Sequence, residues 1–133
     1  MNKLLKLITD NQADILPATE EQIAKAESVL GLTFTKEYRS YLLNIGVISF
    51  GSVETYGLGV PDTSFLNIVN ALDEFRALEN FPTSLIPVAD IGDGHYYMYD
   101  NCTQSIVIVA LPGVGIKIIC SDLESFFIDL IFN

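Results

Sequence analysis

The sequence has few of the residues from which most catalytic and metal sites are built. Among 133 residues there is one histidine, His95, and there are two cysteines, Cys102 and Cys120. Without a CxxC spacing or a second histidine, no zinc site is predicted. Both cysteines are expected to be reduced and mostly buried. No G-x-S-x-G segment is present to expose a nucleophilic serine.

Long uninterrupted apolar runs are also missing. The apolar stretch 106–120 is broken by Pro112, two glycines and Lys117, so it cannot form a membrane helix. The first residues do not resemble a secretion signal, because no small-residue cleavage site follows them. We therefore expect a cytoplasmic protein. Half of the residues are apolar, which predicts a folded chain with residues 1–133 as one domain.

Positive charge is scarce. Seventeen acidic residues face seven basic ones, which gives a net charge of −10. Residues 77–133 carry seven acids and only Lys117 as a base, a local balance of −6. Repulsion makes nucleic acid and anionic membranes poor partners, whereas a basic protein would be attracted. Alternatively, the acidity only keeps an apolar protein soluble.

The residues that are present predict an α+β domain with N-terminal helices, a central, mostly antiparallel sheet and a C-terminal helix packed on it. Thr19–Gln22 has the form of a capping box and opens a helix that stops at Gly31. Glu27 on this helix is a candidate to accept backbone hydrogen bonds from a neighbouring loop. A second capping box, Ser121–Glu124, opens the last helix. The other expected helices are residues 4–11, 36–44 and 67–78, and the expected strands are 47–50, 53–58, 85–91, 95–100, 106–111 and 114–120.

The turns between the strands are predicted from their glycines. Gly51-Ser52 predicts a II′ hairpin turn, Asp93-Gly94 a type I′ turn, and Pro112-Gly113 a third turn. The two strands beside Pro112-Gly113 are nearly all apolar. They are therefore expected to lie in the covered middle of the sheet.

The hairpin at Asp93-Gly94 carries the most informative group of side chains. Three carboxylates, His95 and three tyrosines surround one turn, a mixture that fits a general base, a metal site or a recognition surface. Alternation along the strand puts Tyr97 and Tyr99 on one face and Tyr96 on the other. Because neither a nucleophile nor a calcium-loop spacing accompanies the acids, we favour recognition and assign no catalytic residue, metal or cofactor. The predicted protein contacts are Glu54, Tyr56, Asp90, Asp93, His95, Tyr97 and Asp100.

Three segments together resemble the SUKH superfamily in its Smi/Knr branch. The first, N-terminal signature consists of Thr19–Leu32 and Tyr38–Gly46, the second is Leu85–Gly94, and the third is the helix Leu123–Phe127. The resemblance implies an immunity protein that binds and neutralises a cognate bacterial toxin, a nuclease or another basic toxin. It carries over no catalytic residue. The predicted partner is thus a toxin with a basic surface, not nucleic acid or membrane.

Two other functions remain open at this point. The chain could be a regulatory adaptor with an endogenous protein partner, as other members of the resembled group are. It could also be a small hydrolase or metal-dependent enzyme that uses His95 and the acids. The predicted oligomeric state is a monomer or a weak homodimer, with 53–58 as a strand that could pair between subunits.

Overall fold

The computed structural model of the chain describes residues 1–111 and 115–133, with most helices in the first part of the chain and four consecutive strands in the second, as expected of an α+β protein. Within these residues the helices are α1 (Asn2–Asn11), α2 (Glu20–Leu30), α3 (Lys36–Asn44), α4 (Ile68–Phe75) and α5 (Leu123–Phe132). The strands are β1 (Asp14–Ile15), β2 (Ile48–Phe50), β3 (Val53–Glu54), β4 (Leu85–Gly92), β5 (His95–Asp100), β6 (Ser105–Ala110) and β7 (Gly115–Cys120). The predicted fold class is confirmed.

The strands form two antiparallel sheets. The smaller has the order β1-β2-β3 and the larger the order β4-β5-β6-β7. In the turn between β4 and β5, Asp93 and Gly94 both have positive φ, 54° and 76°, as a type I′ turn requires. Between β2 and β3 only the first turn residue, Gly51, has positive φ, which matches the predicted II′ turn.

Helices cover both faces of the larger sheet. Tyr96 contacts Phe75 of α4 edge to face, with ring centroids 4.9 Å apart. The next residue, Tyr97, contacts Phe126 of α5 at 5.0 Å. Because successive residues of a strand point to opposite faces, α4 and α5 lie on opposite sides of the sheet. The predicted packing of the C-terminal helix on the sheet is therefore confirmed.

The second helix begins and ends as its sequence predicts. The Thr19 hydroxyl accepts from the Gln22 amide at 3.1 Å, and the Gln22 side chain accepts from the Thr19 amide at 2.9 Å. Gly31 ends the helix with a left-handed φ of 68°. Glu27 accepts from the amide of Phe34 at 2.8 Å, so this carboxylate does hold the loop that follows.

Several local expectations were wrong. The Asp122 side chain makes no capping hydrogen bond, and Glu124 accepts from the Leu4 amide at 3.1 Å instead of closing a capping box. The fourth helix ends at Phe75, which leaves Leu78 exposed. Cys102 is exposed rather than buried. The predicted turn at Pro112-Gly113 lies outside the described residues.

The position of β7 is also different from the expected one. It forms the edge of the larger sheet and not its covered middle. Its isoleucines Ile116, Ile118 and Ile119 are exposed although they are apolar. Apolar composition alone could not distinguish a central strand from this edge strand. No helix among the described residues is both long enough and apolar enough to cross a membrane.

Candidate protein-binding site

The segment after β3 joins the two sheets and fixes the position of Tyr56. The Tyr56 amide donates to the carbonyl of Val88 in β4 at 2.9 Å. The Tyr41 hydroxyl donates to the Tyr56 carbonyl at 2.9 Å and lies 2.9 Å from the Thr55 hydroxyl. Thr55 Oγ1 also accepts from the Ile48 amide of β2 at 2.9 Å. Both backbone polar groups of Tyr56 are therefore held by neighbouring elements.

Tyr56 is part of a small groove between α4 and the larger sheet. The groove has a volume of about 150 Å³ and is lined by Tyr56, Phe65, Asn70, Ala71, Glu74, Phe75 and Tyr96. Asp90 pairs with Tyr96 across the strands β4 and β5 and so lies on the same face. Phe65 at the groove is 66% exposed. We call the seven lining residues together with Asp90 the acidic aromatic groove.

The carboxylates of this groove act on its two phenols. Burial, followed by the nearby Tyr96, Asp90 and Glu74, raises the pKa of Tyr56 to about 12. Burial raises the pKa of Tyr96 too, with Asp90 and Glu74 adding to the effect. Both phenols thus stay neutral at physiological pH and can donate hydrogen bonds beside two negative charges.

The acids of the groove are free to meet a partner. Glu74 and Asp90 are exposed, and so is Asp93 at the adjacent turn. The ion pairs found among the described residues involve none of these three carboxylates. A cationic partner would therefore not have to break an existing ion pair to reach them.

The structure brings four of the predicted contact residues to this end of the sheet. Tyr56 and Asp90 belong to the groove, and Asp93 and His95 lie at the neighbouring hairpin turn. Asp90 accepts from the Gly92 amide at 2.8 Å, and His95 Nδ1 donates to the Asp93 carbonyl at 3.0 Å. These contacts order the turn while both side chains remain exposed.

The other three predicted residues lie elsewhere. Tyr97 is on the opposite face of β5, against Phe126. Asp100 lies at the far end of β5, where it accepts from the amides of Cys102 and Thr103. Glu54 is exposed but belongs to the smaller sheet. The structure therefore divides the predicted set among three places.

The predicted contact set contained two residues of the groove, Tyr56 and Asp90, and missed the other six, among them Phe65, Glu74 and Tyr96. The alternation of side chains along the strand had already placed Tyr96 on the face opposite Tyr97. This alternation is the signal that could have identified Tyr96 as a groove residue. Glu74 and Phe65 precede the hairpin by about twenty residues or more, and no local pattern connects them with it. Only the packing of α4 on the sheet brings them to Tyr96.

A larger cleft of about 670 Å³ lies on the other side of α4, against α2. Asn70 lines both the cleft and the groove. Two cations line the cleft, and both have partners within the chain. Lys25 lies 3.6 Å from the carboxylate of Asp62, and the Arg76 guanidinium donates to the carbonyls of Leu30 and Thr83. The charge of Lys25 therefore has an acidic partner, whereas the two carbonyls hold the Arg76 guanidinium without neutralising its charge.

Over residues 1–111 and 115–133, no group of three His, Cys, Asp or Glu side chains converges in a way that could hold a metal ion. His95 Nδ1 donates to the backbone carbonyl of Asp93. This nitrogen is therefore not bonded to a carboxylate, which would be needed to orient the ring as a general base.

The sequence pattern of one family, described as SMI1-KNR4 cell-wall (SUKH_6), matches residues 20–127. The chain belongs to the SMI1-KNR4 family. All residues of the acidic aromatic groove lie within the matched range, and α1 lies before it. No curated protein matches the chain significantly.

A solved structure has the same fold as this SMI1-KNR4 chain. It is the crystal structure of a protein from Pseudomonas syringae pv. tomato, which superposes with a TM-score of 0.66. The match covers 81% of this chain and 82% of the other at 17% sequence identity. At that identity the likeness shows the fold alone.

Proposed function

We propose that this SMI1-KNR4 chain is an immunity protein that neutralises a toxin inside the producing cell by stoichiometric binding, without catalysis. The observation that carries the proposal is the acidic aromatic groove, where aromatic side chains border carboxylates that have no ion-pair partner among the described residues. Aromatic residues give large contact areas at low entropic cost, and unpaired acids attract a basic surface.

The proposed partner is a toxin with a basic substrate groove, such as a nucleic-acid-cleaving domain. The net charge of −10 would speed the encounter with such a surface. The exposed Phe65 and the groove rim would then fill the toxin's cleft, with Glu74 and Asp90 opposite its cations. Binding of this kind inhibits by excluding the substrate.

The test is co-expression with a toxin domain encoded in the same locus, scored by survival and by co-purification. In the variant Glu74→Lys/Asp90→Lys, the affinity should fall by about two orders of magnitude, because both exposed carboxylates then repel the toxin. Survival should be lost with it. Circular dichroism should show unchanged helices and strands, because both side chains are exposed and Asp90 holds only the Gly92 amide of the adjacent turn.

A matched control separates the groove from overall charge. Asp14→Lys/Asp129→Lys makes the same charge change at two exposed sites outside the groove, from −10 to −6, since each substitution adds two charges. This control should retain affinity within about threefold. If both double variants lose affinity equally, the groove is not the interface. If no toxin binds and an endogenous protein co-purifies instead, the chain is a regulatory adaptor.

A further inference from the structure

The outer edge of β7 is apolar and uncovered. Val107 and Val109 of β6 are buried, and they pair directly with Ile118 and Ile116 of β7. Cross-strand partners share a face of the sheet. The two isoleucines therefore continue the apolar face of Val107 and Val109 into a region that is exposed to solvent. Ile118 is 64% exposed and Ile116 is 46% exposed. An edge strand of this kind is a template for pairing with another strand.

The charge around β7 indicates which strand would pair with it. Residues 101–121 contain one cation, Lys117, and no acid, in a chain of net charge −10. Two copies of such an anionic molecule repel each other least where neither presents a carboxylate. A basic toxin, in contrast, would find no acid in this segment to attract it. The edge therefore suits a second copy of the same chain.

We infer that β7 pairs antiparallel with β7 of a second copy, about a two-fold axis at Ile118, to make one continuous eight-stranded sheet. An axis at Lys117 would place two lysines opposite each other, which destabilises a strand pair. An axis at Ile118 instead places Ile118 against itself and Lys117 against Ile119 of the second copy. Ile119, which lies at the register shift between β6 and β7, is 42% exposed and open to that contact.

The other edge of the sheet, β4, already accepts a backbone hydrogen bond from another segment of the chain. The Tyr56 amide occupies the carbonyl of Val88 along the outer side of β4. Since β4 and β7 are the two ends of the strand order, the acidic aromatic groove stays uncovered in the dimer. Self-association is measured on the purified chain alone and does not rest on the proposed function.

Sedimentation equilibrium from low micromolar to millimolar concentration tests the pairing. The chain should dimerise reversibly, and Ile118→Lys should raise the dissociation constant by on the order of tenfold or more, because it puts two lysines on the axis. Phe65→Lys is the matched control. Phe65 is about as exposed as Ile118, at 66%, but lies in the acidic aromatic groove beside Tyr96 of β5 and not on β7. A chain that stays monomeric throughout, or a control that dissociates the dimer as much, overturns the inference.

A cross-link tests the register. In a Cys102→Ser/Cys120→Ser background, Ile118→Cys should form an intermolecular disulfide on mild oxidation, since directly opposed Cα atoms lie about 4.5–5.5 Å apart. Ile116→Cys should not, because it faces position 120 of the second copy. Efficient linking through position 116 with none through position 118 would contradict the proposed axis.

Discussion

Tyr56 contacts three different parts of the molecule. Its amide reaches β4, its carbonyl is held by Tyr41, and its ring lines the groove beside Asp90. The sequence predicted Tyr56 as a contact residue on a strand of its own hairpin. It could not predict the bond to β4, because Val88 lies more than thirty residues further along the chain.

The ionisation of Tyr56 gives a prediction at this scale. Its pKa of about 12 lies above the ordinary value of 10, so the folded state binds more protons than the unfolded state between these pH values. The stabilisation is fully present below pH 10 and is lost as the pH rises towards 12. Tyrosine-selective ¹³C NMR should show Tyr56 ionising near pH 12, and the urea midpoint should fall across this range.

Two variants check the cause of that shift. Asp90→Asn and Glu74→Gln should each lower the pKa of Tyr56 towards 10 without restoring it fully, because burial is its largest cause. Asp129→Asn, on the opposite side of the sheet, should leave it unchanged. A Tyr56 that ionises at its ordinary pKa in the unaltered protein would contradict the described environment.

At the scale of elements, features set by near neighbours were predictable and features set by distant ones were not. The turn at Asp93-Gly94 and the cap at Thr19 depend on residues within three positions, and both are present. The cap expected at Ser121–Glu124 failed because Glu124 is bound by the N-terminal segment, 120 residues away. The edge position of β7 likewise depends on the order in which all four strands of the larger sheet pair.

Gly57 lies in the segment that leaves the smaller sheet and passes close to the end of α3. This close approach gives a prediction at the scale of elements. Its amide donates to the Leu66 carbonyl, and its carbonyl accepts from the Ile68 amide. A Cβ at this position would lie 1.6 Å from the Gly46 carbonyl oxygen. Gly57→Ala should therefore reduce the free energy of unfolding by about 3 kcal/mol or more, measured by urea denaturation.

Gly31→Ala is the matched control. A Cβ at Gly31 meets nothing within 4 Å, and the only cost there is the left-handed φ of 68°, about 1–2 kcal/mol. If the two variants are equally stable, the close approach of the backbones at Gly57 is not a constraint.

For the molecule as a whole, the excess of negative charge predicts how stability responds to salt. With a net charge of −10, repulsion within the chain weakens the folded state at low ionic strength. Raising the sodium chloride concentration shortens the range of this repulsion. The urea midpoint should therefore rise with salt. The Asp14→Lys/Asp129→Lys variant, at −6, should respond less, and a midpoint that falls with salt would contradict the prediction.

The bond between the Tyr56 amide and Val88 also limits how far copies of the chain can assemble. In the proposed dimer each copy pairs only through β7, so association stops at two copies. If local opening released the segment around Tyr56, β4 would become a second edge strand that is free to pair with another copy. Copies could then add at both ends without limit, and the same strands would lead to fibrous aggregates.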